Sequence, residues 1–354
     1  MISPPLADQG WRMPAEWELH AATWMSWPSR ENTSFPDGDH HDKVLPVFLE
    51  MIRALTSSER LYLNCTHPAD RAYIEANLNL DEAFRENLVI TDIPAVYPWC
   101  RDHGAIFIVN DELGEVAATS WKYNAWGGKY PEAFPDNDIS SAMAKLLGVQ
   151  EFDAGLVLEG GSIDCNGCGT ALTTESCLLN PNRNSHLDRE GIERHLHDYL
   201  GFEKVLWLHD GIVGDDTDGH IDDITRFINP ETVVTVIEED ESDANHLPLE
   251  RNWQRLRRMT TEDGSPLNII ALPMPAPVII DGQRLPASYA NFYIANSVVL
   301  LPVFGDPTDA EAIAILTECF PDRRIVPINS RELVWGLGSF HCLTQQVPAV
   351  RGQR

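Results

Sequence analysis

Basic residues are scarce in this chain of 354 residues: 26 Lys and Arg stand against 54 Asp and Glu, a formal net charge of −28. So acidic a chain repels phosphate backbones and anionic lipid, which excludes nucleic-acid and membrane-surface partners and draws cations toward any cleft. A long apolar run is also missing. The most apolar window, 269–280, is broken by Pro273, Pro275 and Pro277 and is too short to span a bilayer. Residues 1–11 lack the basic flank and apolar stretch of a signal peptide, so a soluble, cytoplasmic protein is expected. Cysteine is sparse too. Seven is an odd number and builds no disulfide framework, so the thiols read as reduced. No low-complexity tract or linker divides the chain, and 43% apolar with 23% charged residues is ordinary globular usage.

What is present is a mixture of two periodicities. Val44, Leu45, Phe48, Leu49, Ile52 and Leu55 predict an amphipathic helix over 42–55. Further helices are predicted over 68–76, 139–147, 188–199, 251–259 and 308–317, the last with Thr308 as N-cap. Apolar runs of strand length lie at 61–64, 88–91, 105–109, 205–208, 233–237, 269–272, 298–303 and 325–328. Asn166-Gly167 is a hairpin signal between 162–165 and 168–172. The mixture argues an α/β fold. Five segments share one plan, an apolar strand, a polar Gly-containing cluster and a second apolar strand. They begin at Leu88, Glu151, Val205, Asn268 and Arg324, in steps of 63, 54, 63 and 56 residues. Such spacing suggests repeated units around an axis, with Asp102, Glu159, His220, Asn291 and Cys342 in related places near it.

The densest polar cluster runs from Asp215 through His220 to Asp223. A calcium EF-hand reading fails by register, because Gly219 at loop position 6 puts Gly214 at position 1 and Thr225 at position 12. No zinc spacing is present, and a solvated acidic turn is the plain alternative. Alternation in an extended strand places His220 and Asp222 on one side, a histidine beside a carboxylate suited to proton transfer. Gly336-Leu337-Gly338-Ser339-Phe340-His341-Cys342 sets glycines ahead of a cysteine, which lets a substrate approach the thiol closely; a buried structural cysteine is the alternative. Asp102 in WCRDHG and Glu159 in LEGGSID each put a carboxylate beside glycine at a strand edge. With Asp222 they offer carboxylates for a planar cation, and a guanidinium matches two of them bidentately. Asp216 and Asp218 from the acidic cluster and Gly338 before the thiol join the substrate-binding candidates. Cys165-Asn166-Gly167-Cys168 lacks the second pair of a zinc knuckle and reads as two cross-strand neighbours.

At these residues the sequence resembles the agmatine deiminase and bacterial peptidylarginine-deiminase family. The resemblance is carried by MPAEWELHAATWMSWP (13–28), WCRDHG (99–104), NAWGGKY (124–130), LEGGSID (158–164), TTESCLLNPNRN (173–184), DDTDGHID (215–222), LPASYANFYIAN (285–296) and HCLTQQ (341–346). It implies one domain over 1–354, the pentein fold: a five-bladed pseudo-symmetric α/β propeller built from repeated ββαβ-type units. It implies a hydrolase of linear amidine C–N bonds with no metal and no organic cofactor. Residue by residue, Cys342 matches the nucleophile, His220 the general acid/base, Asp102 and Asp222 the carboxylates that grip a guanidinium. Glu159 matches the glutamate beside the histidine and Trp99 the aromatic next to the substrate. The partner expected is a cationic guanidino small molecule, agmatine first, giving N-carbamoylputrescine and ammonia. Deimination of free or peptidyl arginine and guanidino-ligand binding without catalysis are the alternatives, and a homodimer is a family-level expectation. Two stretches depart from the agmatine pattern: 29–35, and 336–340, where agmatine-acting members carry three glycines and then Asn-Ile. Arg183 is the candidate partner for a substrate carboxylate if the substrate is arginine.

Overall fold

The computed structural model describes residues 4–30, 34–35 and 38–350. Residues 1–3 of the N-terminal stretch and 31–33 of the departing 29–35 stretch lie outside the described residues. The repeated plan is clearest in the stretch 293–329. Tyr293–Ile294 pairs antiparallel with Val298–Val303, the helix Asp309–Cys319 crosses over, and Arg324–Asn329 returns parallel to Val298–Val303. The run VVLLPV is apolar without alternation because this strand is almost wholly buried in the middle of its sheet. Ala312 and Leu316 turn the crossover helix's apolar side inward.

Four other sheets have the same ββαβ order. One uses Ile106–Asn110, Glu115–Lys122, the helix Ile139–Leu147 and Gln150–Val157, with Trp11–Arg12 added at the edge. The next uses Asp164–Cys165, Thr170–Thr174, the helix Arg189–Leu200 and Lys204–Leu208. A further one uses Thr225–Asn229, Thr232–Ile237, the helix His246–Leu256 and Asn268–Pro273. The last joins both ends of the chain. Thr344–Pro348 pairs antiparallel with His20–Ser26, and the helix Gly38–Thr56 leads to Arg60–Asn64, which lies parallel to His20–Ser26 and to Leu88–Thr91. The five repeated segments therefore carry the chain from the last strand of one sheet to the first strand of the next. The polar cluster of each sits in that passage.

Several boundaries differ from the sequence reading. The helix expected over 251–259 is His246–Leu256, because Pro248 falls in its first turn, where no intrahelical N–H bond is needed. Thr308 stands at the N-cap of Asp309–Cys319 as expected, but it is itself helical in φ and ψ, and its hydroxyl makes no capping bond and donates to Asp306 Oδ1 at 2.6 Å. The Asn-Gly hairpin forms, but Cys165 faces Ala171 across it while Cys168 lies exposed in the turn, so the two cysteines are not cross-strand neighbours. Among the described residues no helix is long and apolar enough to cross a membrane.

Beneath the sheets lies a buried ionic knot. Arg226 donates to Asp164, to Glu16 Oε1 at 2.9 Å and to the Phe292 carbonyl at 2.7 Å, with its guanidinium 4.9 Å from the Phe292 ring centroid. It thereby ties three of the sheets to the N-terminal segment. Removing one partner of a buried pair leaves the other charge uncompensated. Arg226→Ala is expected to lower unfolding free energy by about 3–5 kcal/mol, checked by urea denaturation.

Candidate active site

Asp102 stands on the single turn Cys100–His103, where Oδ1 accepts from the Gly161 amide at 3.1 Å and Oδ2 from Trp126 Nε1 at 2.9 Å. The indole is aimed by an unusual turn, since Ala125 and Trp126 both hold left-handed φ, at 56° and 53°. Asn124 Oδ1 secures that turn by accepting from the Gly127 amide at 2.8 Å. Non-glycine residues rarely sit there, and such strain clusters at functional sites. Glu159 follows the strand Gln150–Val157 and is fully buried; Oε1 accepts from Arg183 Nε at 2.7 Å, and Oε2 has no hydrogen-bond partner.

His220 is equally buried, and among the described residues neither ring nitrogen has a hydrogen-bond partner; Nδ1 lies 3.6 Å from Asp102 Oδ1. Burial alone would lower its pKa, but Asp102, Cys177 and Asp222 around it outweigh that and hold it well above the ordinary value. The extended strand expected at 220–222 is a 3₁₀ turn, Ile221–Asp223, and this turn rather than alternation brings Asp222 toward His220. Nor is 215–223 a solvated acidic loop, because its carboxylates are assigned one by one. Asp215 closes the turn, accepting from the Thr217 amide at 2.7 Å and the His220 amide at 3.1 Å. Asp223 accepts from Asn291 Nδ2 at 2.9 Å. Asp218 accepts from Lys129 Nζ, Asn182 Nδ2 and Arg183 Nη1 at 2.8, 2.9 and 2.8 Å.

Cys342 lies in the turn Phe340–Leu343. Its Sγ accepts from Asn291 Nδ2 at 3.1 Å and is 3.5 Å from Asp222 Oδ2. Burial first, then Asp222, Asp223 and Asp102, pushes the thiol well above its ordinary pKa. The thiol is ringed by carboxylates, not cations. Asp222 Oδ2 sits 2.7 Å from His341 Nδ1, while Oδ1 is buried without a partner. Burial would raise Asp222, but the bond and charge of His341, with His220 and Arg226, bring it below the usual carboxylate range.

These groups converge on one point. A methyl group on Gly161 would come within 2.6 Å of His220 Nδ1, 2.8 Å of Asp102 Oδ1 and 3.0 Å of Asp222 Oδ2. A cavity of about 200 Å³ opens above, lined by Asp102, Cys342, Trp99, Trp126, Tyr130, Asp216, Leu337 and Gly338 among others, with no Lys, Arg or His among its described lining residues. Trp99 is fixed by its Nε1 donating to Ser34 Oγ at 2.9 Å. Gly338 packs on that indole, where a Cβ would lie 2.7 Å from the ring and 3.1 Å from Cys342 Cβ. Asp216 accepts from the Tyr130 hydroxyl, and burial pushes its carboxyl up. Leu337, at φ 71°, occupies a left-handed position where the family pattern has glycine.

Asp102, Trp99, Asp216, Gly338 and Cys342 thus line the cavity, and His220, Glu159 and Asp222 support it from below. Asp218 does not line it. Arg183 is also elsewhere, donating to Glu159, Asn182, Asp218 and the Thr217 carbonyl, so its guanidinium is committed. Among the described residues, one trio has ligating atoms within 4.8 Å of one another, as a metal would need: Glu159, Cys177 and His220. The sequence reading gave no role to Cys177, Trp126, Tyr130, Glu16 or His341. All five lie inside the blocks that carry the resemblance, which was their only signal.

The model of the Porphyromonas-type peptidyl-arginine deiminase family matches residues 12–348. A Marinomonas sp. (strain MWYL1) protein named "Putative agmatine deiminase" is 38% identical, over 98% of this chain and 97% of its own. Among solved structures, the agmatine deiminase of Enterococcus faecalis superposes with a TM-score of 0.89 at 32% identity, covering 99% of both chains. A cysteine-to-serine variant of C. jejuni agmatine deiminase with substrate bound superposes with a TM-score of 0.87 at 29% identity, over 96% of this chain and 97% of that one.

Burial pushes the Asp102 carboxyl from 3.8 up to about 6, with Asp222 and Glu159 adding and His220 opposing. Stability linked to a raised carboxyl is complete below its unfolded pKa and is lost as pH climbs through the folded one, up to about 3 kcal/mol here. The stability of Asp102→Asn relative to the native protein is therefore expected to rise by up to about 3 kcal/mol between pH 4 and pH 7, whatever constant offset its lost acceptor adds, as read by urea unfolding at both pH values.

Proposed function

The chain belongs to the Porphyromonas-type peptidyl-arginine deiminase family, and from that premise we propose that it hydrolyses agmatine to N-carbamoylputrescine and ammonia through a covalent intermediate on Cys342. One observation carries the choice of substrate. The described cavity lining offers carboxylates and no basic side chain, so a guanidinium with an ammonium tail finds counter-charges where the carboxylate of free arginine would find none. Asp102 and Asp222 take the guanidinium, Asp216 answers the ammonium, and the Trp99 ring flanks the chain between them. Supporting this, Asp222 Oδ1 and Glu159 Oε2 are buried acceptors without donors, which the guanidinium N–H groups satisfy.

The cation offsets the carboxylate field that holds the Cys342 proton, so the thiol ionises once substrate is bound. The thiolate forms a C–S bond to the guanidinium carbon, held at attack distance by the two carboxylates. His220, kept protonated by its surroundings, gives its proton to one amino group, which leaves as ammonia. The resulting amidino-thioether is attacked by water as His220 takes back a proton. The C–S bond then breaks as the adduct's hydroxyl passes its proton to the departing sulfur, releasing the ureido product and restoring the Cys342 thiol, while the proton first lost by the thiol leaves with ammonia as ammonium. The chain forms one domain over 1–354, its five ββαβ sheets standing as blades about a pseudo-fivefold axis. That arrangement accounts for five successive passages each delivering one residue to a single point.

Incubation with agmatine, arginine and an arginine-containing peptide, with chelator present, should give ureido product and ammonia from agmatine alone. Cys342→Ala should lose at least about 10⁴-fold in rate. Turnover confined to arginine or the peptide would reverse the choice of tail. Gly161→Ala crowds three site groups at once without a left-handed φ to relieve, and its kcat/KM for agmatine should fall about 100-fold, with about 1–3 kcal/mol of stability lost to the overpacking, read by urea unfolding.

A further inference from the structure

Glu16 lies far from Cys342 in sequence and does not line the cavity, yet both of its buried carboxylate oxygens are fully engaged. Oε1 accepts from Arg226 Nη2 at 2.9 Å and the Ile294 amide at 2.8 Å. Oε2 accepts from Arg101 Nη2 at 3.1 Å and lies 2.8 Å from His341 Nε2. The other ring nitrogen of His341 is 2.7 Å from Asp222 Oδ2. His341 is held along its backbone as well, its amide donating to Asn291 Oδ1 at 3.0 Å and the Asn291 carbonyl at 3.1 Å. Arg101 completes the frame by donating to Gln346 Oε1 at 2.7 Å.

We propose that Glu16 and His341 are positioning residues that fix the Asp222 carboxylate, occupying its Oδ2 so that Oδ1 is presented to the guanidinium. The proposal rests on the guanidine-deiminating reading and assigns to it two residues beyond the reacting set. Without the His341 donor, Asp222 has rotational freedom beside the Cys342 thiol, and both headgroup grip and alignment of the attacked carbon suffer. Glu16 acts one step further out. It locks the imidazole plane while Arg226 and Arg101 keep the buried glutamate ionised. The chain of contacts runs from the N-terminal segment, through the residue before the nucleophile, to the carboxylate that meets substrate.

Two substitutions at His341 separate the two ends of this link. An Asn side-chain amide overlays Nδ1 of the ring and keeps the donor to Asp222; a Gln amide overlays Nε2 and keeps the donor to Glu16. Each is made in a Cys342→Ala background, where ligand binds without turnover, and calorimetry reads the affinity for agmatine and for methylguanidine, which has the headgroup and no tail. The expected result is that His341→Gln weakens both ligands about tenfold, the loss of one hydrogen bond to a charged group, while His341→Asn weakens them far less. With Cys342 restored, kcat should fall in the same order. A structural role alone predicts equal losses in binding that track the unfolding midpoints. Equal affinities, or Gln milder than Asn, would overturn the proposal. If the Cys342→Ala parent binds methylguanidine but not agmatine, the substrate reading falls while the His341 comparison still decides the positioning role. If the parent binds neither, both fall.

Discussion

Four carboxylates buried about His220 and the Cys342 thiol are the constraint on which the rest of this structure depends. Asp102, Glu159, Asp222 and Asp223 sit out of water, where an uncompensated charge is too costly to keep. Each is met differently. Glu159 has Arg183, Asp222 has His341 with Glu16, Arg101 and Arg226 behind it, and Asp223 has an Asn291 amide. Asp102 accepts from an indole and a backbone N–H with His220 Nδ1 3.6 Å away, and burial still pushes its carboxyl up. The compensation is incomplete toward the cavity and complete away from it. Negative potential therefore remains where a planar cation fits, at some cost to the empty protein.

The repeated topology explains how residues spread over 240 positions meet. Each passage between sheets ends just before a new first strand, and the residue carried there points to a common place. Asp102, Glu159, His220, Asn291 and Cys342 each occupy one passage. Glycine is needed where these passages crowd: Gly161 lies against three of the polar groups, and Gly338 lies between Trp99 and Cys342. The cavity wall also holds backbone strain, at Trp126 and at Leu337. A single Leu in a left-handed conformation costs about 1–2 kcal/mol and persists because its neighbours, Gly336 and Gly338, pack tightly on Trp99.

Much of this was legible beforehand because the elements obey local rules. The strand at 88–91 and the helix at 139–147 emerge with their expected bounds, since apolar runs and 3.6-residue spacing express burial directly. The five segment starts fall within one residue of a strand start for the same reason. The errors are equally local. Thr308 holds the N-cap position but turns its hydroxyl back to Asp306 instead of capping, and the hairpin register opposes Cys165 with Ala171. Asp218 and Arg183 looked like binding groups by charge alone. Their charges are spent on each other, on Lys129 and on Glu159, which composition does not reveal.

From its sequence alone, this protein's acidic balance, α/β class, five-part plan and set of reactive residue types were determined, because burial periodicity and side-chain chemistry are properties of short stretches. The tertiary structure decided which carboxylate faces substrate and which faces an arginine. It also decided that the thiol's surroundings are anionic, and that Glu16 stands behind His341 and Asp222. Those outcomes depend on pairings across as many as 325 residues, and no local pattern encodes the partner that arrives from another sheet.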